Sequence, residues 1–180
     1  MTNRKPLGLA FLVALLVVIA VHFLDFRGSV PNFVKRSGGG TLLDVKPSFS
    51  EEELYDRLEA YGESGRTDYF FRNVTVDAVL PLSLLPFLFL FMLAALNDLR
   101  AGRLTRALLL SVPIAYVVFD FAENATVLAL LSRFPERVHF PAIALPYLTT
   151  VKRTASILAL GLPLAMFAFA FVKRRLSRTV

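Results

Sequence analysis

The sequence predicts an all-α membrane protein, a bundle of four transmembrane helices with a short amphipathic helix in a long outer loop between helices 1 and 2. Of its 180 residues, 56% are hydrophobic, and the mean hydropathy is +0.60. A soluble chain this short could not hide so much apolar surface, whereas a bilayer lets apolar side chains face lipid. The apolar residues also fall in four stretches with basic flanks. We therefore expect one membrane domain over residues 1–180.

The first apolar stretch covers residues 7–24, close to the ~20 residues that cross ~30 Å of hydrocarbon as a helix. A competing interpretation is a signal peptide cut after Ala20, because Arg4 and Lys5 precede the apolar run. The run continues through Leu24 without a clear small-x-small cleavage site. The length of the run favours a retained transmembrane helix over a signal peptide.

Residues 25–73 form the predicted outer loop. Ser50 and Glu53 have the spacing of a capping box, in which each side chain bonds the other residue's backbone amide. Apolar residues follow at helical spacing, which predicts a short amphipathic helix. We expect Gly62 and Gly65 to end this helix. It would lie on the outer mouth of the bundle with its apolar face down.

The other three apolar stretches cover residues 74–96, 107–131 and 155–172. Each is near the ~20 residues that a membrane-spanning helix needs. A helix that begins near residue 67 should lead into the first of the three. Prolines inside the stretches do not exclude spans, because neighbouring helices can satisfy the carbonyls that a proline frees.

Basic residues set the predicted orientation. They cluster before the first span, between the second and third, and after the fourth: Arg4, Lys5, Arg100, Arg103, Arg106, Lys173, Arg174, Arg175 and Arg178. With four spans all three groups fall on one side, which the positive-inside rule makes cytoplasmic. Both termini are thus expected in the cytoplasm, with the protein integral to a plasma or inner membrane.

The most informative motif is Asp120-Phe121-Ala122-Glu123-Asn124 in the third span. Glu123 and Asn124 lie three and four residues beyond Asp120, so all three share one helix face, which Tyr116 extends by a turn. A carboxylate in hydrocarbon costs at least ~2.5 kcal/mol on insertion scales, so this face should point into the bundle. We predict Asp120 and Glu123 as an acid–base pair, with Asn124 and Tyr116 binding a ligand. The alternative is a structural role, in which these side chains join helices by hydrogen bonds.

Other polar residues fall at the outer ends of the spans. His22 ends the first, Arg72 and Asp77 begin the second, and Arg153 begins the fourth. This asymmetry predicts an outward-opening polar pocket that includes these four residues, with Arg153 or Arg72 as the counter-ion of the two acids. The structural alternatives are a packed histidine at 22 and interfacial, snorkelling basic residues at 152 and 153. Tyr69 is either part of an aromatic belt or a further ligand contact.

Several classes of function are excluded or disfavoured. The chain has no cysteine, which rules out disulfides and thiolate metal sites or nucleophiles. It carries a net charge of +6, but the basic residues flank apolar runs, so nucleic acid is not an expected partner. No P-loop, Gly-x-Gly-x-x-Gly, His-Glu-x-x-His or Gly-x-Ser-x-Gly motif occurs. The sequence therefore indicates no cofactor and no metal.

Five short motifs are distributed between residues 42 and 160: Leu43-Asp44, Glu53-x-Tyr55, Tyr61-Gly62-x-x-Gly65-Arg66-x-x-Tyr69, Asp77 with Pro81, and Asp120-x-x-Glu123-Asn124. Together they resemble a group of small four-helix membrane proteins of unassigned function. The resemblance implies the same architecture. It also implies that Gly65, Arg66, Tyr69 and Asp77 belong with the Asp-Glu-Asn group, and it implies no activity.

Three functions are compatible with these observations. The first is a pocket for a membrane lipid or isoprenoid-like amphiphile, with or without carboxylate acid–base chemistry. The second is an accessory or assembly subunit that docks on another membrane protein. The third, a proton-coupled carrier, is disfavoured because the sequence lacks an internal repeat and has few polar groups in the inner half of the spans. Whether the chain is an enzyme stays open at this point.

Overall fold

The computed structural model describes residues 5–176, so Arg4 and Arg178 of the basic flanks lie outside the described residues. Its helices are α1 Lys5–Phe23, α2 Val30–Arg36, α3 Glu51–Ala60, α4 Gly62–Val74, α5 Val76–Asp98, α6 Arg103–Arg133 and α7 His139–Leu176. Four segments are long and apolar enough to cross a membrane: α1, α4 with α5, α6 and α7. The chain is therefore a helical membrane protein.

The long helices expose many apolar side chains, and contact of so much apolar surface with water would be strongly unfavourable. Leu9 and Leu16 of α1 and Ile157 and Phe169 of α7 are each exposed over more than half of their surface. In a bilayer these side chains contact lipid, and the helical backbone satisfies its own hydrogen bonds. The exposed faces of the helices are therefore the lipid-facing surface.

The long helices pack around α5, which contacts α1, α6 and α7, while α6 and α7 pack extensively on each other. Towards the Asp98 end of α5, aromatic rings join three helices. Phe11 of α1, Phe87 and Phe91 of α5 and Phe167 of α7 follow one another with ring centroids 5.2–5.6 Å apart. Apolar contact holds this end of the protein together.

At the opposite end α2, α3 and α4, with the residues that connect them, form what we call the cap. The cap shares a buried apolar core with the adjoining ends of α6 and α7: Phe33, Leu42, Leu43, Leu54, Tyr55, Leu58, Tyr61, Tyr69, Val127, Leu130, Leu131, Ala142 and Leu145. We call this set the cap core. Helix α3 begins where the sequence indicates, since the Ser50 hydroxyl accepts the Glu53 amide at 3.4 Å.

Arg57 of α3 fixes the chain segment 41–48 to the cap. Its guanidinium donates to the carbonyls of Thr41 at 2.8 Å and Leu42 at 3.2 Å and to the Ser48 hydroxyl at 2.8 Å. The neighbouring Tyr61 hydroxyl donates to the Thr41 carbonyl at 2.5 Å, and burial raises the pKa of this phenol. These bonds hold the segment that carries Asp44 in a defined position over the long helices.

The helices extend further than the apolar stretches. Helix α7 begins at His139, well before residue 155, and α4 begins at Gly62 and is separated from α5 at Thr75. Gly62, with a φ of +63°, does separate α3 from α4. The expectation that Gly65 also ends a helix is wrong, because Gly65 lies inside α4. A Cβ there would lie 2.9 Å from the Cα of Ser37, so this glycine allows the close approach of α2 and α4.

Candidate functional site

One buried lysine is surrounded by three acids where the cap meets the long helices. The Nζ of Lys152 contacts Glu123 Oε2 directly and lies 3.3 Å from Asp120 Oδ1 and 3.8 Å from Asp44 Oδ2. The side chains of Lys152, Asp120 and Glu123 are exposed by only 12%, 10% and 1%. We call these four residues the acid–lysine cluster.

Helix α6 brings its two acids to the cluster on one buried face. The buried residues of α6 from Tyr116 to Leu131 recur every three or four positions, and Asp120 and Glu123 belong to this series. Since 3.6 residues make one turn, the series is a single stripe facing the other helices. The two acids are therefore inward-facing by helical phase.

Helix α7 supplies the partners of Glu123. Thr149 and Lys152 are three residues apart on the same face of α7, and the Thr149 hydroxyl donates to Glu123 Oε1. The two carboxylate oxygens of Glu123 thus have separate partners, one hydroxyl and one ammonium. Glu123 is held in place, and Asp120 lies one turn along α6 beside the same ammonium.

Asn124 joins this cluster to α5. Its Nδ2 donates to the backbone carbonyl of Asp77 at 3.0 Å and to Asp120 Oδ2 at 3.2 Å. The amide therefore fixes the Asp120 carboxylate and also the start of α5. Asn124 acts here as a positioning group.

A second ion pair lies beside the cluster. The Arg72 guanidinium of α4 is 2.7 Å from Asp77 Oδ1 and donates to the carbonyl of Gly28 at 2.7 Å. Its side chain is 3% exposed and that of Asp77 is 14% exposed. This pair matches one base with one acid, in contrast to the single lysine that serves three acids.

A cleft of about 730 Å³ opens beside the cluster and runs down between the long helices. Its polar end includes Asp44, Arg72, Asp77, Asp120, Asn124, Lys152 and Arg153. Its other end is lined by Leu80, Leu84, Leu88, Tyr116, Ile157 and Leu160. The helix rise from Asp77 to Leu88 is about 16 Å at 1.5 Å per residue, so the apolar part is a long channel. The cleft is amphiphilic along its length.

The two predicted acid–base residues occupy different positions relative to this cleft. Asp120 lines it, whereas Glu123 lies behind, only 1% exposed, between Thr149 and Lys152. A ligand in the cleft can therefore contact Asp120 directly, whereas Glu123 can act on it only through Lys152.

The counter-ion of the acids is Lys152, which corrects the expectation that Arg153 or Arg72 takes this role. Arg72 pairs with Asp77, and the Arg153 guanidinium donates to the backbone carbonyls of Asp44, at 2.5 Å, and Val45. Adjacent positions on a helix point about 100° apart, so Lys152 faces inward while Arg153 reaches over the rim. Both arginines still line the cleft.

The remaining predicted ligand contacts are dispersed. His22 is exposed on the cleft rim, with Nδ1 2.9 Å from the Val18 carbonyl. Tyr69 is buried in the cap core, where its hydroxyl accepts the Leu43 amide at 3.1 Å, next to Asp44. Tyr69 thus supports the cluster from behind.

Arg66 and Gly65 lie apart from the acid–lysine cluster. Arg66 donates to the Leu58 carbonyl at 2.9 Å, and its guanidinium stacks over the Phe134 ring at 4.1 Å. These contacts join α3, α4 and the connection after α6. Arg66 is therefore a structural residue of the cap in this conformation.

Sequence reasoning did not place Asp44, Thr149 and Lys152 in the site. Lys152 and Thr149 precede residue 155, where the fourth apolar stretch begins, and so were assigned to the interface or left out. The signal that could have found Lys152 is its place inside a longer helix, since α7 starts at His139 and Lys152 is 13 residues inside it. Asp44 lies in a loop, and its position depends on the bonds that Arg57 makes.

No family model, curated protein or solved structure matches the chain. Function is therefore argued from the side chains of the cleft. One ammonium cannot neutralise three carboxylates, so the cluster has a surplus of acid. A surplus carboxyl group can hold a proton or accept a hydrogen bond from a ligand, and either is useful at the head of an amphiphilic cleft.

Proposed function

We propose that this chain is a four-transmembrane-helix bundle whose outward-opening cleft holds a lipid-like amphiphile, with the polar head beside the acid–lysine cluster. The observation that carries the proposal is the cleft itself, which has charged side chains at one end and is lined mainly by leucine and isoleucine, with Tyr116, along the rest. Its volume lies in the range of about 300–1,000 Å³ that is usual for small-molecule sites. The acids make it unlike a purely structural groove, because intramembrane acids are rare outside functional sites.

The depth of the polar groups supports this placement. Helix α5 has 23 residues and rises about 34 Å, close to the thickness of the hydrocarbon layer. Asp77, one residue from its start, contacts Asn124 of α6, so both lie at the same level near one membrane boundary. A lipid bound in the cleft would keep its head at the depth of ordinary headgroups and its chain in hydrocarbon.

The side to which the cleft opens follows from the charges at the other end. The Arg174 guanidinium of α7 pairs with Asp98 at the end of α5, beside the basic groups that the positive-inside rule places in the cytoplasm. The cluster lies towards the other ends of α5 and α7, beside Asp77 at the start of α5 and 13 residues inside α7. The cleft therefore opens to the non-cytoplasmic side in this proposal, with the cap over its mouth.

Acid–base chemistry on the bound head is a natural extension. Asp120 would be the residue that touches the ligand, and Glu123 and Lys152 would set its charge. In this scheme Asn124 orients the Asp120 carboxylate through its 3.2 Å hydrogen bond. The same geometry serves a protein that only binds and presents a lipid.

The test is lipid analysis of the purified full chain by mass spectrometry. We expect a co-extracted amphiphile in the wild type and its loss in Asp120→Asn. Asp98→Asn is the matched control, since Asp98 is an ion-paired acid at the other end of the helices. Absence of any lipid, or equal retention in Asp120→Asn, would contradict the proposal.

A second candidate function is that of an accessory subunit, and one observation favours it. Phe140 and Tyr147 of α7 are 81% and 62% exposed, and Phe49 of the cap, 69% exposed, stacks edge-on against Tyr147 at 6.2 Å. These rings lie on the cap side of Lys152, beyond the level at which lipid chains would cover them. A helix of another membrane protein fits such a surface. A stoichiometric partner that is lost on Phe140→Ala with Tyr147→Ala would support this role.

A further inference from the structure

We infer that the cleft selects a lipid head that donates a hydrogen bond and carries no negative charge, such as the hydroxyl of a lipid alcohol or the ammonium of a lipid amine. This inference rests on the proposed amphiphile pocket and specifies its ligand. The chemistry that points to it is the charge balance of the polar end and the state of one carboxylate, that of Asp44.

The charge balance disfavours an anionic head. The cluster and the polar end of the cleft bring together four acids, Asp44, Asp77, Asp120 and Glu123, and three bases, Arg72, Lys152 and Arg153. A phosphate or carboxylate would add negative charge to a site that already has more acids than bases. Like charges at such distances repel strongly where water is scarce.

Each base is also already engaged by the protein. Arg72 is paired with Asp77, Lys152 is shared by three carboxylates, and Arg153 donates to two backbone carbonyls. An anionic head that paired with the Lys152 ammonium, or took the place of Asp77 on Arg72, would displace a carboxylate that is already there. Removing one partner of a buried charge pair is strongly unfavourable, because the other charge is left uncompensated.

Asp44 supplies the acceptor that a donor head would need. Its side chain is 31% exposed on the cleft, and its nearest basic group, Lys152 Nζ, is 3.8 Å away, beyond hydrogen-bond length. Its other oxygen, Oδ1, is buried and has no hydrogen-bond partner in the described part of the chain. Since Oδ1 is buried, Oδ2 is the oxygen that a ligand in the cleft can reach, and it too accepts no hydrogen bond within the described residues. A ligand donor would therefore satisfy a group that the protein leaves unsatisfied.

The position of Asp44 is fixed before a ligand arrives. Arg57 and Tyr61 hold the carbonyls of residues 41 and 42, and Arg153 holds those of residues 44 and 45. A prearranged acceptor binds a donor with less loss of conformational freedom than a mobile one. The hydrogen bond to Asp44 is therefore expected to contribute measurably to binding.

The test uses four probes that share an oleyl chain and differ only in the head: oleyl alcohol, oleylamine, methyl oleyl ether and oleyl phosphate. Each is added at equal mole fraction to phosphatidylcholine nanodiscs that contain the full chain, and retention is read by native mass spectrometry. We expect the alcohol, the amine or both to be retained over the ether and the phosphate by about tenfold, the worth of one hydrogen bond. The comparison of alcohol and amine identifies which donor is preferred.

Variants tie the selectivity to Asp44. Asp44→Ala should lower retention of the donor probe to that of the ether, whereas Asp56→Ala, an exposed acid of the cap, should change nothing. Asp44→Asn keeps the shape and one acceptor, and provides the comparison should Asp44→Ala prove unstable by thermal unfolding. It should retain the donor probe only in part.

Two negative results have different meanings. Retention of the ether or phosphate as strongly as the alcohol and amine would overturn the inference and leave the pocket in place. Retention of none of the four probes would overturn the proposed pocket itself.

Discussion

The cap core and the acid–lysine cluster are adjacent and both largely buried, but the first consists of apolar side chains and the second of charged ones. The cap core consists of apolar side chains, mainly leucine, phenylalanine and tyrosine, with Phe33, Leu43, Leu54 and Leu58 fully buried. The cluster places Asp120, Glu123 and Lys152 in a comparably sheltered position. Burial of the first set releases free energy through the hydrophobic effect. Burial of the second set requires desolvation of charges that their mutual attraction only partly offsets.

This difference indicates that the cap core stabilises the fold, whereas the acid–lysine cluster is present for a reason other than stability. Replacing a buried ion pair by apolar residues is often neutral or stabilising, so a cluster of this kind is weak evidence of a stabilising role. The cap core holds the segment 41–48 and α3 in place, and this positions Asp44 in the cluster. Substitutions in the two regions should therefore separate stability from ligand retention.

The cap core is one of two places where the largest loss of stability is expected. Phe33→Ala removes a fully buried ring that packs at 5.2 and 5.1 Å from the rings of Tyr61 and Tyr69. We expect a loss of about 3–5 kcal/mol in the free energy of unfolding, measured by thermal or denaturant unfolding in detergent. Val34→Ala on the exposed side of the same helix should change it by no more than about 0.5 kcal/mol. Equal effects would mean that the cap core does not hold the cap.

In the cluster, Lys152→Met should also lower stability, by about 3–5 kcal/mol, because it leaves three acids without their ammonium. Adding Asp120→Asn and Glu123→Gln removes the uncompensated charge and should restore most of the loss. The restored triple variant should still fail to retain the lipid. A triple variant that stays as unstable as Lys152→Met would show that the cluster is a stabilising element after all.

A smaller effect is expected from Thr149→Val. This change removes the hydroxyl that donates to Glu123 Oε1 and leaves that buried oxygen unpaired. We expect it to lower the free energy of unfolding by about 1–3 kcal/mol. Thr150→Val is the control, since the Thr150 side chain is exposed and bonds only its own helix at the Pro146 carbonyl. Unfolding midpoints of the two variants report the comparison, and a shift confined to Thr150→Val would contradict it.

The smallest effect concerns the start of α3. Ser50→Ala removes the N-cap bond to the Glu53 amide and should lower the free energy of unfolding by about 1 kcal/mol. Lipid retention should stay unchanged, because Asp44 is held at the cluster by Arg57 and the segment 41–48 and not by the N-cap of α3. A variant that loses the lipid without loss of stability would place this helix end in the site.

The sequence predicted the helical membrane class well, because apolar runs of sufficient length and their basic flanks are local properties. Helical spacing also predicted that Asp120, Glu123 and Asn124 share one face, and the cost of a carboxylate in hydrocarbon predicted that this face points inward, as their burial confirms. The true extent of α7 could not be read from hydropathy, since residues 139–154 form a helix that packs on the cap instead of a fully apolar run. That extension is what places Thr149 and Lys152 opposite Glu123.

The parts that sequence reasoning missed depend on contacts between distant residues. Asp44 is held at the cluster by Arg153, 109 positions away, which donates to its carbonyl. Arg57 supports it indirectly, through bonds to the carbonyls of Thr41 and Leu42, 16 and 15 positions away. No spacing rule reports such contacts. Arg66 illustrates the converse, since it shares a motif with Tyr69 but its guanidinium lies over the Phe134 ring, whereas the Tyr69 hydroxyl accepts the Leu43 amide next to Asp44.

The central claim is that the cluster lies in a cleft open to the non-cytoplasmic side, and the absence of cysteine allows a direct test by labelling. Ser156→Cys places a thiol in the cleft, Ser64→Cys marks the exposed cap and Arg103→Cys marks the first residue of α6, which the proposal assigns to the cytoplasm. Each is treated with a membrane-impermeant maleimide in intact cells and in inverted vesicles. The account predicts that Ser156→Cys is labelled from the same side as Ser64→Cys. Labelling of Ser156→Cys from the side of Arg103→Cys would contradict it.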